Sequence, residues 1–136
     1  MIDKTIKVVE DERDLLETVT MTLERNCYRV HGFSHPALAL KHIREEGCND
    51  CGLIISDIKM PTMTGVELAV HCKSARPYLK FLLMTAMPVD KDHWRKVLPQ
   101  SENVDDFLPK PFTTKELVES RKKMERASRT VGRFDC

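Results

Sequence analysis

With 136 residues, 41% of them hydrophobic and 32% charged, the chain has the size and composition of one ordinary folded domain, large enough to bury a core without disulfide or metal staples. Lys plus Arg total 22 against 21 for Asp plus Glu, and the resulting net charge of +1 excludes a global electrostatic case for nucleic acid or an anionic membrane as partner. The first residues, Met1-Ile2-Asp3-Lys4, put charges where a signal peptide needs an apolar core, and no apolar run approaches the ~18 residues of a membrane span, so the chain reads as cytoplasmic.

Two kinds of segment alternate along the chain. Ile6 to Val9 is a short β-branched run, followed by a helix from Glu12 to Asn26 whose Leu15, Val19 and Leu23 make an apolar stripe. Tyr28 to Phe33 is a second strand. His35 to Glu46 is a second helix, with Ser34 as N-cap, Pro36 in its first turn and Gly47 as its stop. Leu53-Ile54-Ile55 is the continuous apolar run of a strand covered on both faces. Met60 to Gly65 has loop chemistry and Val66 to Lys73 a short helix. Phe81 to Met84 is a fourth strand, and Val89 to Leu98, between Pro88 and Pro99, a candidate fourth helix. Asp106 to Leu108 is a fifth strand, and Thr114 to Ala127 the last helix, capped by Thr113 or Thr114. Ser128 to Cys136 lacks periodicity and reads as a tail or the start of a linker. Such alternation means an α/β domain over residues 1–127, a doubly wound parallel sheet with helices on both faces.

In such a sheet, ligands bind outside the carboxyl ends of the strands, and those ends are polar here. The first strand ends in Glu10-Asp11, the third in Asp57, the fourth in Thr85, and the fifth leads to Lys110. Brought together, these carboxylates would raise one another's pKa. A hard divalent cation with oxygen ligands relieves that conflict, which suits Mg²⁺. A carboxylate beside such a cation and a lysine is a usable phosphoryl acceptor, because phosphoryl transfer is mostly positioning and charge stabilisation.

The segments Val8-Val9-Glu10-Asp11-Glu12, Ser56-Asp57-Ile58-Lys59-Met60-Pro61 with Gly65, Met84-Thr85-Ala86 and Leu108-Pro109-Lys110-Pro111-Phe112 together resemble the signature of CheY-like response-regulator receiver domains, from about Ile6 to Ala127. The resemblance implies the flavodoxin-like strand order 2-1-3-4-5 with five helices. It implies a phosphorylation switch that takes its phosphoryl group from a phosphohistidine, on a sensor histidine kinase or a histidine phosphotransfer protein, and regulates a downstream output domain or effector. Asp57 is then the phosphoacceptor. Asp11, Asp57 and the main-chain carbonyl of Lys59 ligate Mg²⁺, with Glu10 acting through a water. Lys110 contacts the phosphoryl group, Thr85 moves to hydrogen-bond it, and Phe107 holds the place of the switch aromatic. The Lys110–Pro111 bond is implied to be cis. Self-phosphotransfer and autodephosphorylation are the chemistry implied, not turnover of a substrate.

Other readings stay beside this one. A constitutive interaction module could keep the fold without phosphorylation control, although the intact carboxylates, Thr85 and Lys110 argue against it. A flavodoxin wants a phosphate loop where Glu10-Asp11 stands, and a haloacid-dehalogenase-type phosphatase wants an Asp where Lys59 stands. The cysteines Cys27, Cys48, Cys51, Cys72 and Cys136 are odd in number and read as reduced thiols. Cys48-x-x-Cys51 reads as a loop with two thiols, since no second pair completes a zinc site. The basic residues Arg121, Lys122, Lys123, Arg126, Arg129 and Arg133 read as the solvated face and tail of the last helix, with no aromatic platform for nucleic acid.

Three features depart from the resemblance. Glu10 replaces the more frequent Asp. Lys59 brings an ammonium two residues after the acceptor, where it would alter the phosphoryl lifetime. Pro99-Gln100-Ser101-Glu102-Asn103 replaces the usual end of the fourth helix, which implies a short or displaced helix. That leaves open the face on which the family dimerises and signals, including a homodimer and the role of Trp94.

Overall fold

The structure, a computed structural model, describes residues 5–45, 51–86, 93, 95, 96, 98 and 100–131. The strands are β1 (Thr5–Val9), β2 (Arg29–Phe33), β3 (Cys51–Asp57), β4 (Lys80–Thr85) and β5 (Asp106–Pro109). They form one parallel sheet in the order β2-β1-β3-β4-β5, the expected doubly wound arrangement. Helices α1 (Arg13–Arg25), α2 (Pro36–Glu45), α3 (Gly65–Ala75) and α4 (Thr114–Val131) cover it, and a 3₁₀ turn spans Ser101–Asn103.

Successive residues of a strand point to opposite faces, so each apolar run serves two cores. Val9, Phe33, Ile54, Phe81, Leu83 and Phe107 meet Leu40 and Ile43 of α2 and Val66, Leu68 and Ala69 of α3 on one face. Ile6, Val8, Leu53, Ile55, Met84 and Leu108 meet Val19 and Leu23 of α1 and Leu117 of α4 on the other. Burial on both sides explains why these strands read as continuous apolar runs rather than as alternation.

Caps place the helices. Thr64 and Glu67 form a reciprocal capping box at α3, and Thr113 and Glu116 do the same at α4; each satisfies two otherwise orphaned backbone N–H groups. The α3 box does not appear in the reading of Met60–Gly65 as plain loop. At α2 the expected cap Ser34 is superseded by His35, whose Nδ1 accepts from the N–H of Ala37 at 3.1 Å, as an imidazole placed like an Asx side chain can. Helix α4 continues to Val131 rather than ending at Ala127. Arg121 is a correction: it is buried, with its guanidinium carbon 4.1 Å from the ring centroid of Tyr28. Its charge faces the aromatic π-cloud instead of water.

Four α-helices lie among the described residues. Most of the predicted helix from Val89 to Leu98 lies outside them, as do Trp94, Cys48, the Cys51 side chain and the side chains of Lys123, Arg126, Arg129 and Arg133. Cys27 and Cys72 are not disulfide-bonded, the first exposed and the second buried. No described helix is long and apolar enough to cross a membrane.

Candidate functional site

Because β1, β3, β4 and β5 are successive parallel neighbours, their carboxyl ends lie side by side, and the polar residues expected to meet do meet. Carboxylate oxygens of Glu10, Asp11 and Asp57 lie within 4.8 Å of one another. Lys110 Nζ is 3.1 Å from Asp57 Oδ1 and 3.4 Å from Glu10 Oε1. Thr85 is fully buried at the end of β4, and its carbonyl accepts from the Lys110 N–H at 2.6 Å. That bond draws Lys110 toward the sheet just before the cis Lys110–Pro111 peptide.

Asp57 is held from several sides. Its Oδ1 accepts from the N–H of Ile58 at 2.8 Å, and the same N–H lies 3.1 Å from the carbonyl of Met84 on the neighbouring strand. The Ile58 carbonyl accepts from Gly65 N–H at 2.9 Å, which ties the start of α3 to the acid. A Cβ built on Gly65 would stand 2.3 Å from the Asp57 carbonyl oxygen and 2.5 Å from Leu83 Cδ1. Only glycine permits that approach, which gives a packing reason for the Gly65 that accompanies the Asp57 motif in the sequence.

Glu10 follows β1 directly, with its N–H donating to the Phe33 carbonyl at 3.0 Å. Its side chain is 1% exposed, and burial pushes its carboxyl up from 4.5 to about 7. The N–H of Glu12, which donates to Oε2 at 3.1 Å, pulls in the opposite direction, while the Asp57 charge pushes the same way as burial and Lys110 opposes it. Asp11 is exposed, so the cluster opens to solvent on its side. Lys59 is exposed on the connection between β3 and α3, and Phe107 is 3% exposed within the α2–α3 core.

The donor set is oxygen throughout, carries three carboxylates and has one open side. That fits a hard divalent cation, which keeps several waters when bound by few carboxylates. Burial is the main reason the Glu10 carboxyl is raised, and the Asp57 charge adds to it.

Residues 6–122 match the family model of the response regulator receiver domain. The response regulator receiver protein CpdR of Brucella abortus is 31% identical over 121 residues, covering 89% of this chain and 96% of that protein. The C4-dicarboxylate transport transcriptional regulatory protein DctD of Rhizobium meliloti is 30% identical over 127 residues, covering 93% of this chain but only 26% of that protein; the chain thus spans about a quarter of that relative. Among solved structures, the response regulator protein TrrA of Thermotoga maritima, in complex with Mg²⁺-BeF, superposes with a TM-score of 0.74 at 30% identity, covering 89% of this chain and 98% of that one.

Proposed function

The chain belongs to the response regulator receiver family, and we propose that it is switched by transfer of a phosphoryl group from a phosphohistidine onto Asp57. Receiver domains work with histidine kinases and output domains in two-component signalling. The observation that carries the reading for this chain is the Lys110 ammonium poised between Asp57 Oδ1 and Glu10 Oε1, beside an oxygen cluster with an open side.

Asp57 Oδ1 is engaged by Ile58 N–H and Lys110, which leaves Oδ2 as the attacking oxygen. An Oδ2–P bond forms as the P–N bond of the donor breaks, and the imidazole leaves neutral, keeping the proton already on its other ring nitrogen. Lys110 shifts from the carboxylates to the new phosphoryl oxygens, and the Thr85 hydroxyl moves to hydrogen-bond one of them. Asp11, Asp57 and the Lys59 carbonyl would hold Mg²⁺, with Glu10 acting through water. The cation supplies charge neutralisation on the transferring phosphoryl oxygens. The donor is a sensor kinase or a histidine phosphotransfer protein, charged from cytoplasmic ATP, so the chain works in the cytoplasm. Its chemistry stops at self-phosphotransfer and slow hydrolysis, and the output is an attached domain or a separate effector.

The test is intact mass after incubation with a small phosphodonor and Mg²⁺. A gain of one phosphoryl group, lost in Asp57→Asn and with chelator, is expected; no gain, or a gain that survives Asp57→Asn, rejects the reading. In the same assay the decay of phosphorylated Lys59→Asn should differ from wild type, and equal rates would remove Lys59 from the account of lifetime.

A further inference from the structure

Phe107 sits beneath a cation. Its ring is 3% exposed, packed in the core that includes Leu83, Val66 and Val104, and the guanidinium carbon of Arg95 lies 5.2 Å from the ring centroid. That is within cation–π range. The exposed Arg95 is tethered where it stands: Nη1 donates to the Ser101 carbonyl, and the Ser101 hydroxyl donates back to the Arg95 carbonyl at 3.5 Å. Ser101 is itself buried, and its carbonyl also accepts from the Val104 N–H at 2.9 Å.

The backbone under the ring is pinned. Asp105 N–H donates to the Phe81 carbonyl at 2.8 Å, while Asp105 Oδ2 accepts from Phe81 N–H at 2.8 Å and from Lys73 Nζ at 2.7 Å. Phe107 then pairs with Leu83 across the ladder, and its own N–H donates to Asp106 Oδ1 at 2.9 Å. With the chain fixed on both sides, the orientation of the ring is set by what its side chain packs against.

We propose that Arg95 is a positioning residue that holds the Phe107 ring inward before any phosphoryl group arrives, so that the unmodified protein already populates the ring-in state at the end of β5. The inference deepens the reading of Asp57 as acceptor and rests on it for its consequence, because Lys110 follows Phe107 by three residues on the same short strand and its continuation. Arginine is well matched to this position. Its planar fork can bond a carbonyl and cover an aromatic face at once, which an ammonium cannot do as well.

The experiment is fluorine NMR of the full chain labelled with 4-fluorophenylalanine. Its five phenylalanines give one signal each, with that of Phe107 identified by Phe107→Leu. In wild type the Phe107 signal should be single and insensitive to exchange of H₂O for D₂O. In Arg95→Ala a second, solvent-sensitive Phe107 signal should appear, and Arg95→Lys should fall between the two. Lys96→Ala, an exposed neighbour, should match wild type. An unchanged Phe107 signal in Arg95→Ala, a solvent-sensitive majority signal in wild type, or an equal effect of Lys96→Ala would each overturn the proposal. Addition of Mg²⁺ and beryllium fluoride separates the two levels. Recovery of the buried signal in Arg95→Ala supports both readings. A fluoride complex without effect on any variant, with the Arg95 effect intact, removes the acceptor reading and leaves the Arg95 clamp standing.

Discussion

Glu10 carries the sharpest consequence of the site's charge balance. Its side chain is buried against Asp57, and its carboxyl titrates near 7 instead of 4.5. A group whose folded pKa is raised binds its proton more tightly in the native state. The stability it contributes is therefore complete below pH 4.5 and disappears as pH rises through 7. At about 1.4 kcal/mol per pKa unit, metal-free protein should lose about 2–3 kcal/mol through this group between pH 5 and pH 8. Glu10→Gln keeps an acceptor for the Glu12 N–H and has nothing to titrate. Urea unfolding in chelator at both pH values should show the wild-type curve falling relative to that of the variant. Parallel curves would mean that Glu10 is ionised in the native state throughout.

At the level of elements, α3 starts against the acceptor because Gly65 has no Cβ, and this sets a contrast between two glycines. Gly65→Ala drives a methyl group to 2.3 Å from the Asp57 carbonyl oxygen, where backbone must yield. It should cost about 1–3 kcal/mol, as overpacking does, and slow phosphorylation by displacing the acid. Gly32→Ala meets side chains alone, Leu16 Cδ1 at 3.2 Å and Thr20 Oγ1 at 3.4 Å, which can turn away, so its cost should stay within about 0.5 kcal/mol. Denaturant midpoints and phosphorylation rates of the two variants test this, and equal losses would remove the special role of Gly65. The same comparison shows where sequence was legible. Strands and the site residues at their ends could be read because burial on both faces forces continuous apolar runs, and the polar residue that breaks each run sits by construction at the carboxyl edge. What could not be read depends on partners distant in sequence: the space Gly65 gives to Asp57, the Tyr28 ring that draws Arg121 inward, the Phe81 and Lys73 groups gathered by Asp105. The Thr64–Glu67 box was legible in principle, since a Thr-x-x-Glu before an apolar run is a capping signature. It was obscured by the Pro and Gly residues around it. Lys7, only 2% exposed in β1, carries no periodic signal that distinguishes it from a surface lysine.

For the molecule as a whole, the strand order that assembles the site also concentrates negative charge at one edge of the sheet, so the native state without cation is held below the stability its cores could give. A ligand bound only by the native state stabilises it by RT ln(1 + [L]/Kd), about 1.4 kcal/mol at tenfold over Kd. For a domain of this size, that corresponds to a rise in Tm of about 5 °C. Mg²⁺ should produce such a rise in wild type beyond that given by sodium chloride at equal ionic strength. Asp11 is the exposed member of the cluster, so Asp11→Asn breaks no buried contact and relieves repulsion. Its metal-free Tm should equal or slightly exceed that of wild type, while most of the Mg²⁺ increment disappears. Thermal melts of both proteins across a Mg²⁺ titration decide it: an increment of the same size in Asp11→Asn would mean that Mg²⁺ acts as diffuse counter-charge, with no bound position among Glu10, Asp11 and Asp57.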